Sequence, residues 1–269
     1  RIKKSYGGGM IDALRLRKHI VENLADVVVA PRTQKEIEAL VAYCDHERIP
    51  MYVYGGGSTV TRGREAVKGG VSLDMSVHMN QVVRFNETDQ TITVQAGMSG
   101  PALEEVLNHA PEMLGAKRRY TCGHFPQSFE FSSVGGWVVT RGAGQNSTYY
   151  GKIEDIVIAQ EYVTPRGVFK TNEIPRCATG PDFDQIMMGN EGTFGILTNV
   201  TLQLRRHMPQ NRRRYSYMFK NWQDAREACR EIMQAEFGFP SVFRLSDPEE
   251  TDVAMMLYHI EGTIADSVL

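Results

Sequence analysis

Three consecutive glycines, Gly55-Gly56-Gly57, follow directly on the short apolar run Met51-Tyr52-Val53-Tyr54 and lead into Ser58-Thr59. No other feature narrows the folding options of this chain as much. Residues without Cβ let the backbone take positive φ and come close to a ligand or to another chain segment. A strand that feeds such a loop can turn successive N–H groups into one concavity, an anion cradle that needs no charged side chain. The same letters also make a plain turn, so the loop alone does not decide. Two familiar nucleotide signatures are missing. The run GGGSTVTRG has no GxGxxG opening a helix, and no Gly-Lys-Ser/Thr follows it.

Two further glycine clusters lie far along the chain. One is Ser132-Ser133-Val134-Gly135-Gly136-Trp137, continued by Thr140-Arg141-Gly142-Ala143-Gly144. The other is Glu191-Gly192-Thr193-Phe194-Gly195-Ile196. Singly, each reads as a tight turn or a bulge. Jointly, they suggest several places where backbone approaches one long ligand.

Hydrophobic periodicity places these clusters between ordinary elements. Residues 25–30 read as a short strand ended by Pro31. Thr33 and Glu36 form a capping box before a helix whose buried face carries Ile37, Leu40, Val41 and Cys44. Strands are expected at 51–54, 71–75, 82–85 and 91–96, then a helix capped by Ser99 with Leu103, Val106 and Leu107 inward. Residues 1–9 read as a floppy entry, 10–21 as helical and 110–130 as a loop. Two strands flank the turn Thr164-Pro165-Arg166-Gly167, and 195–205 alternates as a strand. Arg205-Arg206 and Arg212-Arg213-Arg214 bracket a polar stretch, read as a solvated linker and a domain boundary. Beyond it a strand at 215–219, a helix capped by Asn221 and a strand at 241–245 open a second unit. The expected class is α+β, with one domain over residues 1–206 and the opening of another over 207–269.

Charge and cysteine usage remove several function classes. With 30 Lys and Arg against 32 Asp and Glu, the net charge is −2. That balance argues against nucleic acid or an anionic membrane as the main partner. No apolar run approaches the roughly 20 residues of a membrane-spanning helix. Cys44, Cys122, Cys177 and Cys229 form no CxxC pair, and the histidines form no HExxH, so no metal site is expected. Sparse cysteine fits a reducing compartment, hence a cytoplasmic expectation.

At this point the segments resemble a known family. Residues 123–138, GHFPQSFEFSSVGGWV, are similar to GHEPDSxEFSTVGGWV of the alkylglycerone-phosphate synthases and their bacterial relatives. These are FAD-linked oxidases with the FAD-binding domain shared by vanillyl-alcohol oxidase and p-cresol methylhydroxylase. Thr140-Arg141, residues 150–155 (YGKIED), 163–167 (VTPRG), 179–182 (TGPD) and 188–193 (MGNEGT) continue the resemblance, which spans about 25–247. It implies a two-subdomain PCMH-type FAD-binding domain followed by the start of an α+β substrate-binding cap.

The resemblance also implies three flavin-contacting segments. Val53, Tyr54, Gly55, Gly56, Gly57, Ser58 and Thr59 would wrap the pyrophosphate. Gln127, Ser128, Phe129, Glu130, Phe131, Ser132 and Ser133, with Thr140, Arg141, Gly142 and Ala143, would line the isoalloxazine and its linking chain. Glu191, Gly192, Thr193, Phe194, Gly195, Ile196 and Leu197 would hold the far side. Arg244 falls where the synthases carry a functionally important arginine near the flavin. Ser58 stands where some members attach the flavin through a histidine, so FAD is expected to be non-covalent.

The implied activity is oxidation of a small hydroxy compound, such as D-lactate or glycolate, with hydride passing to the flavin and then to an electron acceptor. Ether-lipid alkyl transfer and a fragment or subunit needing a partner chain are the alternatives, and homodimer and partner subunit both stay open. Two departures from the pattern, Phe125 for Glu and Gly142-Ala143-Gly144 for Ala-Ser-Gly, leave the substrate undecided. The family's catalytic tyrosine and histidine cluster has no counterpart within these residues, and no general base is assigned.

Overall fold

The computed structural model describes residues 1–258. Its strands are Val27–Val29 (β1), Met51–Tyr54 (β2), Val71–Asp74 (β3), Val82–Asn86 (β4), Thr91–Gln95 (β5), Tyr120–Thr121 (β6), Val157–Thr164 (β7), Gly167–Lys170 (β8), Ile196–Gln203 (β9) and Arg205–Arg206 (β10). They form two main sheets. The first is parallel, in the order β1-β3-β2. The helix Gln34–His46 carries the chain from β1 across to β2, the strands on either side of β3. Thr33 caps this helix by accepting the Glu36 N–H at 3.3 Å. The Glu36 carboxylate reaches back one residue further than a capping box requires, to the Arg32 N–H at 2.6 Å. Ile37, Val41 and Cys44 are buried along the inward stripe.

The second sheet is antiparallel throughout, in the order β4-β5-β9-β7-β8. Its central strands carry the core, with Ile92, Val94, Tyr162, Val200 and Leu202 essentially inaccessible. The helix Gln34–His46 packs on β7, and Gln34 donates to Glu161 across the join at 2.8 Å. One continuous apolar cluster therefore runs from Leu73 under the first sheet to Leu202 in the second. The mixed α+β class stands.

Four local expectations are corrected. Residues 1–9 are not a floppy entry: Ser5 and Tyr6 are buried, and Ile2–Lys4 forms a 3-10 turn. The helix after Gly9 ends at Arg17 rather than at 21. The stretch 110–130 is not all loop. It holds a helix at Ala110–Leu114, closed by Gly115 at φ +68°, and β6, which pairs with β10. Residues 215–219 and 241–245 form no strand. A strand persists only with a ladder partner, and among the described residues after Met208 there is none.

The chain divides into two compact units, Arg1–His207 and a second starting at Met208. Among its described residues the second unit contains the helices Trp222–Gln234 and Pro248–Leu257. Asn221 and Asp247 cap them. No helix among the described residues is long and apolar enough to cross a membrane.

Candidate cofactor-binding site

β2 ends at Tyr54 and runs directly into the three glycines. Each is needed because protein packs against it. A Cβ on Gly55 would sit 2.1 Å from Ser133 Oγ, and one on Gly56 would sit 1.8 Å from the Phe131 carbonyl oxygen. Gly57 has φ +69°, and its Cβ would meet the Tyr54 ring. The missing side chains thus bring the first and second glycine segments into direct backbone contact. Among the described residues, nothing accepts the N–H groups of Gly55, Gly56, Gly57, Ser58 or Thr59. Five successive donors are left free for a ligand.

The second segment is fixed by its own helix. Ser133 Oγ accepts the Gly136 N–H at 3.2 Å and caps Val134–Val139. Val134 and Gly135 donate to the carbonyls of Met98 and Ala96, both at 2.8 Å, which seats the helix at the end of β5. A Cβ on Gly135 would lie 2.6 Å from that of Ala96, so glycine allows this approach. Trp137 Nε1 donates to Ser132 Oγ at 2.7 Å. The third segment hangs from the same helix. Gly189 and Glu191 donate to the carbonyls of Val138 and Val139 at 3.2 and 3.0 Å, and Gly192 N–H meets Asn190 Oδ1 at 2.6 Å.

The three segments surround a cleft of about 960 Å³. Residues 53–59 all line it, as do Gln127, Ser128, Phe131, Ser132 and Ser133. So do Thr140, Gly142, Ala143, Glu191, Gly192, Gly195 and Leu197. Other expected contacts point elsewhere. Phe129 packs on Phe125 and Trp137, with centroids 4.9 and 6.2 Å away. Glu130 is exposed. Arg141, at φ +50°, turns its guanidinium to the carbonyls of Met188 and Gln185. Thr193 donates to the Asn190 carbonyl at 2.6 Å, Phe194 is exposed and Ile196 belongs to the core. Arg244 lies in the second unit, where it is exposed and ion-paired with Glu250.

Sequence reasoning missed part of the lining: Tyr6, Gly7, Gly8, Leu16, Val60 and Arg64. The glycines at 7–8 were the available signal. Arg64 gives no sequence signal. It is buried with its guanidinium over the Tyr54 ring, 4.3 Å from the centroid, and burial lowers its pKa to about 10.

His124 sits just behind the cleft. Both ring nitrogens are buried and unpartnered. The ring packs edge-on to Trp137 at 4.9 Å, and a Cβ on the cleft residue Gly142 would stand 3.3 Å from Nε2. Burial lowers its pKa to about 4, with the Glu154 carboxylate pulling the other way.

The residues present fit a dinucleotide. The free N–H groups suit a pyrophosphate, and the volume lies in the range of cofactor clefts. The comparison that decides is a match of residues 25–172 to the family described as FAD binding domain.

The chain belongs to the FAD binding domain family.

Its cofactor is therefore FAD. This FAD domain and the unit after it are 32% identical over 269 residues to the alkyldihydroxyacetonephosphate synthase of Dictyostelium discoideum, covering 99% of this chain and 42% of that protein. A mitochondrial cytochrome D-lactate dehydrogenase of Arabidopsis thaliana is 33% identical over 196 residues, 72% of this chain and 32% of that one. A solved alkyldihydroxyacetonephosphate synthase superposes with a TM-score of 0.84 at 31% identity, covering 94% of this chain and 44% of that one. The chain thus spans less than half the length of the curated relatives it matches. Relatives of this FAD domain include oxidoreductases as well as alkyldihydroxyacetonephosphate synthases.

Proposed function

We propose that this chain holds the flavin of an FAD-dependent oxidoreductase acting on a small hydroxy compound, a 2-hydroxy acid such as D-lactate or glycolate. The observation that carries the reading is the convergence of three glycine segments on one cleft with five unpaired N–H donors at its floor. The N–H groups of residues 55–59 hold the pyrophosphate. Gln127, Ser128, Phe131, Ser132 and Ser133, with Thr140, Gly142 and Ala143, line the isoalloxazine side, and Glu191, Gly192, Gly195 and Leu197 close the far wall. Bound FAD supplies the acceptor for the electron pair leaving the substrate. Ser58, which cannot form the histidyl link, leaves FAD non-covalent. Arg244 holds the substrate's acidic group through a two-pronged hydrogen bond. A small-molecule electron acceptor reoxidises the flavin.

A second reading is alkyl transfer, the alternative that the resemblance to the alkylglycerone-phosphate synthases implies. It is favoured by one observation: the similarity to the Dictyostelium protein extends over 99% of the chain. Anaerobic addition of D-lactate or glycolate to the FAD-loaded protein separates the two. Bleaching of the visible flavin band is the expected result. A band that persists with both acids, alongside exchange of an acyl for an alkyl group on dihydroxyacetone phosphate, would transfer the assignment to the second reading.

A further inference from the structure

Arg205 and Arg206 are more than the edge of a linker. They form β10, which pairs antiparallel with β6, so that Arg205 lies opposite Thr121 and Arg206 opposite Tyr120. One further bond, from the His207 N–H to the Arg119 carbonyl at 3.0 Å, extends the ladder. The pairing brings Arg205 and Arg206 beside Lys117, Arg118 and Arg119, which come from far earlier in the chain. Burial and Glu87 raise the pKa of Tyr120, and Arg118 and Arg206 together oppose the rise. The two guanidiniums thus lie within electrostatic reach of one phenol.

All five cations are exposed. Among the described residues none of them forms an ion pair or a side-chain hydrogen bond. The neighbouring carboxylate is already engaged: Glu87 accepts the Lys117 N–H at 2.8 Å and the Tyr120 hydroxyl at 3.1 Å. None of the five lines the cofactor cleft.

Isolated surface cations are ordinarily just solvated. Two observations set this group apart. Four of the five are arginines, whose planar fork holds a carboxylate through two parallel hydrogen bonds, and clusters of arginine recognise acidic motifs. The rest of the chain is acidic: setting the five aside leaves 25 Lys and Arg against 32 Asp and Glu. A bilayer or a nucleic-acid duplex would extend past the patch and meet that negative surface. A short acidic segment stays within reach of the five cations alone.

We propose that the β6–β10 ribbon, with the turn that precedes β6, is a docking surface for an acidic segment of a partner protein, outside the cofactor cleft. Complementary charge steers the segment in, and the guanidinium forks hold its carboxylates. The inference is independent of which reaction the cleft supports.

The probe is a fluorescein-labelled octaglutamate peptide, titrated with the FAD-loaded protein at low salt and read by fluorescence anisotropy. The wild type is compared with two double variants, Arg118→Glu with Arg206→Glu and Arg119→Glu with Arg205→Glu. A control of equal charge change is Arg166→Glu with Arg176→Glu, at two other exposed arginines. All these side chains are exposed, and melting checks that each variant folds. Saturable binding by the wild type that weakens as salt rises is expected. Each patch variant should bind at least ~10-fold more weakly, and the control within ~2-fold of the wild type. A wild-type Kd above ~1 mM, patch variants that bind as the wild type does, or a control weakened as much as they are would overturn the proposal. Tighter binding to phosphatidylglycerol vesicles or to duplex DNA than to the peptide, lost in the patch variants, would overturn it in favour of a membrane or a nucleic acid.

Discussion

His124 shows how much one buried side chain can say about pH. Its ring nitrogens have no partner, and burial lowers its pKa from 6.5 to about 4. The folded state therefore resists the proton that the unfolded state accepts. Above pH of about 6.5 neither state is protonated there, and His124 costs nothing through linkage. As pH falls from about 6.5 toward 4 the unfolded chain binds the proton first, and stability is lost across that window. At pH 5 the loss is about 2 kcal/mol. His124→Leu removes the titration and an imidazole with unsatisfied nitrogens. Urea midpoints at pH 7 and pH 5 should therefore differ less in the variant than in the wild type, by about that amount. Equal acid sensitivity in both proteins would mean the imidazole is hydrated and not responsible. None of this was legible in the sequence, which does not show what packs on the His124 ring. Burial depends on Trp137 and Gly142, which only the fold brings against the ring.

At the scale of elements, the glycine loop and the helix Val134–Val139 act as one assembly. The sequence argument puts a Cβ at position 56 into the anion cradle. The structure puts it into the Phe131 carbonyl. Gly56→Val should then lower flavin affinity and also the stability of the apoprotein, by about 1–3 kcal/mol, the usual cost of overpacking. Apoprotein melting and FAD titration of the same variant measure both. A variant with wild-type melting and weakened FAD binding would restore the simple cradle account.

The local signals that sequence reads well are those satisfied within a few residues. Thr33, Ser99 and Asn221 cap the helices their spacing announces. The alternation of Ile92 and Val94 becomes the buried face of β5. Signals that need a distant partner were misread. Tyr215 and Tyr217 alternate like a strand but are exposed, with no ladder to join. Residues 1–9 look like a tail, yet Arg64, Ser72 and Ala25 hold them from far along the chain.

At the scale of the whole molecule, every residue that lines the cleft falls between Ile2 and Leu197, inside the unit Arg1–His207. The apolar cluster of that unit is likewise complete before residue 205. The second unit has a different character. Among its described residues only Ala225 is buried, while Tyr215, Phe237 and Tyr258 are each at least 75% exposed. Arg212, Arg213 and Arg214, at its start, are exposed and outside any strand or α-helix. A protease that cuts after arginine meets open backbone there, and opening energy is low where few contacts hold the chain. Brief trypsin treatment of the FAD-loaded protein should therefore cut within 212–214 first. The large fragment should keep its flavin through gel filtration and melt within a few degrees of the intact chain. Loss of the visible band on cutting would show that FAD retention draws on the second unit, and the cleft of the first would not be sufficient by itself. If the band is retained, cofactor retention follows from where the buried surface lies, in the first unit.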